Sequence, residues 1–186
     1  MNSFFEEQEF KNIKTPLDKG TYEYCTFKNC NIKDTDLSHI TFSECEFIDC
    51  DLSNCTLGYT AFKTVTFNGC KLLGLKFEDS NPFLFKVSFY NSILDLSSFY
   101  GWKMKQTIFE ETSLKEVDFD SANLSNSSFN NCNCTGTIFN NTNLQSCDLI
   151  STENFSINPN RNDLKGAHFG KDNLAGLLTN FKIKIV

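Results

Sequence analysis

At 186 residues, 40% hydrophobic and 22% charged, the chain can form one globular domain with a substantial core and is not a disordered segment. A formal charge of −6 and a pI of about 4.9 disfavour direct nucleic-acid binding, which needs cations to displace phosphate counterions, and equally an anionic membrane surface. Nine cysteines are an odd count for a disulfide framework, and MNSFFEEQEF places acids where a secretory signal needs a basic and then an apolar run, so a cytoplasmic protein is expected.

In chain order, residues 1–14 precede any secure pattern and are expected to form a partly helical N-terminal cap. Leu17 then falls in phase with a series that governs residues 15–149, in which a large apolar residue recurs at every fifth position. It runs Tyr22, Phe27, Ile32, Leu37, Phe42, Phe47, Leu52, Leu57, Phe62, Phe67, Leu72, Phe77. It resumes at Leu84 and continues Phe89, Leu94, Phe99, Met104, Phe109, Leu114, Phe119, Leu124, Phe129, Cys134, Phe139, Leu144, Leu149. A period of five is neither the 3.6 of a helix nor the 2 of a strand and points to a repeat architecture. Two residues before each large one stands a small one, as at Cys25, Cys45, Cys50, Ser92, Thr112, Ala122 and Cys147; the other three positions are mostly polar.

Units such as Cys50-Asp51-Leu52-Ser53-Asn54 and Ala122-Asn123-Leu124-Ser125-Asn126 resemble the pentapeptide-repeat proteins. The resemblance implies an all-β fold, a right-handed quadrilateral parallel β-helix in which four units make one coil. Sorting the large residues by every fourth unit gives an independent check. One column reads Phe27, Phe47, Phe67, Phe89, Phe109, Phe129, Leu149; the next is Ile32, Leu52, Leu72, Leu94, Leu114, Cys134; a third turns from Leu37 and Leu57 to Phe77, Phe99, Phe119 and Phe139. Like stacks on like, as coils about 4.8 Å apart require. The columns stay intact if the seven-residue step from Phe77 to Leu84 contains a two-residue bulge within 79–83, near Pro82, which cannot donate to a ladder.

Eight cysteines occupy small inward positions and Cys134 a large one, so all nine read as buried and unreactive; their spacings of five and twenty follow the repeat and not a metal motif. Trp102 is bulky at a small position, as Pro82 is one coil earlier. It is either an exposed partner contact or the product of repacking around the bulge. Residues 150–163, with Asn158-Pro159-Asn160, read as a surface loop. Residues 164–186 then supply a last partial coil, a short helix near Leu174, Leu177 and Leu178, and a terminal strand over 182–186. This tail resembles the C-terminal module of the quinolone-resistance pentapeptide-repeat proteins. That resemblance implies a homodimer interface at Leu174, Leu177, Leu178, Phe181, Ile183 and Ile185; a monomer with a helical end cap is the alternative.

No phosphate loop, metalloprotease motif or nucleophile elbow is present, and neither His39 nor His168 accompanies a plausible nucleophile. An enzyme is not expected, and no cofactor. The outward charges say more. The Phe27 face carries Glu46, Asp49, Glu110, Glu111 and Asp148 against Lys28. The Leu37 face carries Asp36, Glu78, Asp79, Asp118 and Asp120 against Lys76. The Tyr22 face is mildly basic through Lys63, Lys86, Lys103 and Lys105. Two opposed acidic faces on a rod, with a dimerising tail, imply by the same resemblance a DNA-mimicking modulator of DNA gyrase or topoisomerase IV. A general interaction scaffold with another protein partner is the competing expectation.

Overall fold

The computed structural model describes residues 3–181 together with 183 and 184. The chain winds into a parallel β-solenoid, and the local chemistry of each five-residue unit explains why. The fifth residue of nearly every unit takes a left-handed conformation, from Tyr24 (φ 50°) and Asn29 (φ 52°) through Leu96 (φ 64°) to Gly166 (φ 74°). Such corners are unfavourable for most residue types. They are held because most corner N–H groups donate to a carbonyl of the following turn, as from Tyr24 to Ser43 and from Asn29 to Ile48, both at 3.0 Å.

The residue just before each large one biases its unit towards strand or turn. Thr21, Thr26, Thr41, Glu46, Thr66, Ser88 and Ser128 stand in extended units, whereas Thr56, Ser98 and Ser113 stand in turns. Where it is Asp or Asn, its side chain accepts the N–H two residues on, as Asp51 does from Ser53 (3.0 Å), Asn123 from Ser125 (3.2 Å) and Asn143 from Gln145 (3.0 Å). The first half of the chain has two strands per turn: β1 (Ser3–Glu6) and β2 (Glu9–Lys11), β3 (Gly20–Glu23) and β4 (Thr26–Lys28), β5 (Thr41–Ser43) and β6 (Glu46–Ile48), β7 (Ala61–Lys63) and β8 (Val65–Asn68). The second half has one: β9 (Val87–Tyr90), β10 (Ile108–Glu110), β11 (Ser128–Asn130), β12 (Asp148–Leu149) and β13 (His168–Phe169). A four-stranded parallel sheet, β1-β3-β5-β7, forms the Tyr22 face, and a nine-stranded parallel sheet running from β2 to β13 forms the Phe27 face.

The Phe27 column is continuous. Phe10, Phe27, Phe47, Phe67, Phe89, Phe109 and Phe129 pair in register, and neighbouring rings stack at 4.5 to 5.4 Å. The inward small residues do more than make room. Their thiols and hydroxyls donate to the carbonyl of the large residue in the previous turn: Cys55 to Ile32 (3.1 Å), Thr60 to Leu37 (2.8 Å), Thr142 to Phe119 (2.9 Å) and Cys147 to Leu124 (3.0 Å). Burial pushes the thiols of Cys45, Cys132 and Cys147 up to about 12 and so favours their neutral form.

Four expectations need correction. The N-terminal segment is not helical: β1 and β2 extend both sheets, with Phe5 stacked on Tyr22 (4.5 Å) and Phe10 on Phe27 (5.0 Å). It escaped the periodicity because Phe10 pairs with Phe27 across a turn three residues short of twenty. The insertion overlaps the expected 79–83 only at Pro82 and Phe83. Ala61 pairs with Asn81 at the normal step but Val65 pairs with Val87, so the two extra residues lie between Asn81 and Val87. Leu84 is accordingly exposed at a left-handed corner and Phe85 turns inward in its place, with its ring against Phe62 and Phe77. The 150–163 loop is shorter than expected, because Phe155 and Ile157 are core residues that close the end of the stack. The tail's helical part is 3₁₀, at Lys171–Leu177 and Thr179–Phe181. Ile183 and Lys184 belong to no strand, and Lys182, Ile185 and Val186, the rest of the expected strand, lie outside the described residues.

Candidate partner-binding surfaces

The acidic residues project from the two faces to which the sequence assigns them, but they are not equivalent. On the nine-stranded sheet Glu46 lies on β6 with Asp49 at its corner, and Glu110 lies on β10 with Glu111 at its corner. Between these two groups, β8 and β9 present Thr66, Asn68, Ser88 and Tyr90, a neutral gap of three strand steps, or about 14 Å. Asp148 follows on β12, and its carboxylate accepts the Ile150 N–H at 3.0 Å. At the N-terminal end, Glu9 bridges Lys11 and Lys28, each at 2.7 Å, which neutralises that corner and lowers the Glu9 pKa.

The acids of the Leu37 face serve the turns as well. The Asp36 carboxylate accepts the Ser38 N–H (2.8 Å) and the Thr56 hydroxyl (2.9 Å) and pairs with Lys19 (3.0 Å). These contacts, Ser38 foremost, hold its pKa well below the usual carboxylate range. Asp118 accepts the Asp120 N–H at 2.8 Å, and Asp120 accepts from Asn140 (2.9 Å) and Ser121 (2.6 Å), the first of which most lowers its pKa. Glu78 and Asp79 lie in a one-turn 3₁₀ helix, Phe77–Asp79, beside a shallow groove that Gly58 leaves open between Ser38 and Glu78. The free carboxylates best placed for a partner are therefore Glu46, Asp49, Asp79, Glu110 and Glu111.

Trp102 is not an exposed contact. Its side chain is buried, its ring meets Phe85 edge-on at 5.3 Å, and its Nε1 has no acceptor among the described residues. The widened turn is where the indole fits, because Phe85 is displaced inward beside it. The exposed apolar residues of this region are Phe83 and Leu84, with the Lys63 ammonium 5.7 Å from the centre of the Phe83 ring. Sequence reasoning missed them by assigning Leu84 to the core.

At the C-terminal end Leu177 packs against the core, whereas Leu174, Leu178, Phe181 and Ile183 are exposed. Asn173 anchors this module by donating to the carbonyls of Leu149 (2.9 Å), Ile150 (3.2 Å) and Thr152 (2.9 Å). Among the described residues no three His, Cys, Asp or Glu side chains gather as a metal site, and no helix is long and apolar enough to cross a membrane.

A four-sided parallel solenoid of five-residue units, closed by aromatic and aliphatic columns, is the architecture of a repeat protein whose outward side chains are free to vary. The chain belongs to the pentapeptide-repeat family: the family model for the pentapeptide repeat region matches residues 21–99, and that for pentapeptide repeats in eight copies matches 92–131 and 118–153. Among solved structures it is similar to QnrB1, a plasmid-mediated fluoroquinolone resistance protein, at 18% identity over 97% of this chain and 100% of that one, TM-score 0.47. It is also similar to HetL, involved in heterocyst differentiation regulation in Nostoc sp. strain PCC 7120 (16% identity, 88% and 84% coverage, TM-score 0.34). A third is Rfr23 from Cyanothece 51142 (20% identity, 80% and 89% coverage, TM-score 0.29). No curated protein matches the sequence.

Proposed function

We propose that the chain is a non-enzymatic binding protein of the cytoplasm that presents its acidic faces, as a mimic of DNA, to the DNA-binding surface of a type II topoisomerase, DNA gyrase or topoisomerase IV. The observation that carries this reading is the placement of Glu46, Asp49, Glu110 and Glu111 along one parallel sheet, with Asp79, Asp118 and Asp120 on the opposite side of the rod. Carboxylates at fixed spacing on a stiff support can pair with the lysines and arginines that otherwise meet phosphates. The apolar residues left exposed at the C-terminal end, Leu174, Leu178, Phe181 and Ile183, supply the surface through which two copies would join end to end and lengthen the rod. Nine free, buried thiols suit a reducing compartment.

The test is a gyrase supercoiling assay with and without a fluoroquinolone. The protein is expected to inhibit supercoiling or to relieve the drug, and a Glu110→Lys/Glu111→Lys variant to lose that effect while melting normally. No inhibition and no relief over a wide concentration range would remove the reading. Deleting residues 177–186 should convert the dimer to a monomer or an aggregate by light scattering; an unchanged dimer mass would show that the tail only caps the fold.

A further inference from the structure

The Tyr22 face holds a pattern that acidic mimicry does not use. Its charges change sign along the rod. From the N-terminal end, the turn of β1 presents Glu6 and Glu7, the turn of β3 Glu23, and the turn of β5 Glu44. The turn of β7 then presents Lys63, the widened turn Lys86, and the turn after it Lys103 and Lys105. The order is therefore two acids, one, one, then one base, one, two. Over these six turns the order is antisymmetric about the line between β5 and β7; beyond them the face continues through two uncharged turns to Asp163 and Lys165, which lie outside the antisymmetric stretch. None of these eight side chains forms an ion pair among the described residues, and six are exposed, with Glu23 and Lys63 half-buried. Exposed apolar groups accompany both ends: Phe4 (58%) and Tyr24 (55%) beside the acids, Phe83 (65%) and Leu84 (64%) beside the lysines.

A rotation by half a turn about an axis through that line brings each acidic turn of one copy opposite the matching basic turn of another. Glu6 and Glu7 then meet Lys103 and Lys105, Glu23 meets Lys86, and Glu44 meets Lys63, each contact occurring twice. This is the self-complementarity that an isologous two-fold interface requires. The same rotation sets Tyr24 toward the Phe83-Leu84 loop of the other copy. We infer that this face is a self-association surface on which two copies of the chain lie side by side and antiparallel. Charged rows of this kind align and steer two surfaces more than they bind them tightly, so the pairing is weak and depends on salt. An acidic protein partner seated on the lysines alone would leave the acidic half of the face unused and would not need its order to mirror them.

The experiment is sedimentation of the full chain at low and high ionic strength, where the Debye length falls from about 30 Å at 0.01 M to about 3 Å at 1 M. The side-by-side pairing should weaken at least tenfold over this range. The end-to-end contact of the C-terminal module, being apolar, should persist, so the two associations are separable. Lys103→Glu/Lys105→Glu and Glu6→Lys/Glu7→Lys should each abolish the salt-sensitive step. A mixture of the two variants, or one chain carrying all four changes, should restore it. Circular dichroism melts of these surface variants check that each remains folded. A wild-type mass indifferent to salt would overturn the inference. So would reversals without effect, or loss through the lysines alone with no rescue by the charge swap, the pattern expected of a foreign acidic partner.

Discussion

The first four turns and the turns after Val87 solve the same packing problem differently. In the first half the aromatic side chains come from two neighbouring faces: Phe27 meets Phe42 edge-on at 5.8 Å, and Phe42 meets Phe47 at 5.2 Å. The opposite wall is aliphatic, with Leu37 and Leu57. In the second half the aromatics come from two opposed faces: Phe109 meets Phe119 at 5.8 Å and Phe129 meets Phe139 at 6.2 Å, both edge-on, while the former aromatic face is Met104, Leu124 and Leu144. The turns of Phe42 and Phe47 and of Phe109 and Phe119 thus each keep two rings and two smaller residues, and only their distribution changes. The exchange occurs at the widened turn, where Phe77, Phe85 and Phe89 share one level and the indole of Trp102 sits against Phe85. The two extra residues let Phe85 turn inward beside Phe77 and the indole. The backbone changes with the packing. Thr21 and Thr41 lead the extended units of the Tyr22 face, Asn123 and Asn143 lead its later turns, and the four-stranded sheet ends at β7.

The columns common to both halves should be the least forgiving. Phe109 is fully buried between Phe89 (5.3 Å) and Phe129 (4.9 Å). Phe109→Asp removes that burial and places an unpaired carboxylate in the stack, at a cost of about 3–5 kcal/mol or more. A thermal melt like that of the wild type would contradict the assignment of this face.

The exchange itself can be moved. Leu57→Phe adds a ring to a turn that already holds Phe62 and Phe67, and should cost about 1–3 kcal/mol by overpacking. Adding Phe62→Leu gives that turn the composition of the later ones and should recover most of the loss, to within about 1 kcal/mol. Chemical denaturation of the single and double variants measures the coupling. If the two changes were merely additive, the distribution of rings between faces would not be what the widened turn accommodates.

Much of this was legible in the sequence, for a physical reason. A five-residue period in a closed four-sided rod leaves each large residue one place to go, so the Phe27, Ile32 and Leu37 columns and the outward acids follow from counting. What counting could not supply was the choice between Leu84 and Phe85. Both fit the phase locally, and the choice is made by an indole seventeen residues further on. Nor could it find β1 and β2, because the short first turn breaks the step that reveals the others. The pairing of Asp36 with Lys19 and of Glu9 with Lys28 depends on side-chain reach across turns, which periodicity does not encode. The hydrogen-bonding role of the small inward position did leave a signal. Cysteine alternates there mostly with serine and threonine, residues that share a donor and not merely a size.

That alternation separates the halves once more and yields the smallest predicted effect. Cys25, Cys30, Cys45, Cys50, Cys55 and Cys70 lie in the first half, whereas the second relies mainly on Ser92, Ser97, Thr112, Ser127, Thr137 and Thr142, with Cys132 and Cys147. Burial raises the folded-state pKa of Cys45 to about 12, above the ordinary thiol value of about 8.5 that it regains on unfolding. A group whose pKa is raised in the folded state stabilises fully below its unfolded pKa and loses that contribution as pH rises towards its folded pKa. The melting temperature should therefore decline from about pH 8.5 towards pH 12, in excess of what the surface lysines contribute, and thiol reagents should label the cysteines only on unfolding. Replacing Cys45, Cys50 and Cys55 by serine keeps the donors, costs about 1 kcal/mol or less per site, and should flatten the alkaline decline; Ser92 already fills the place in the Cys50 column. If serine variants of the first half decline as steeply as the wild type, its buried thiols do not set the alkaline limit of the rod.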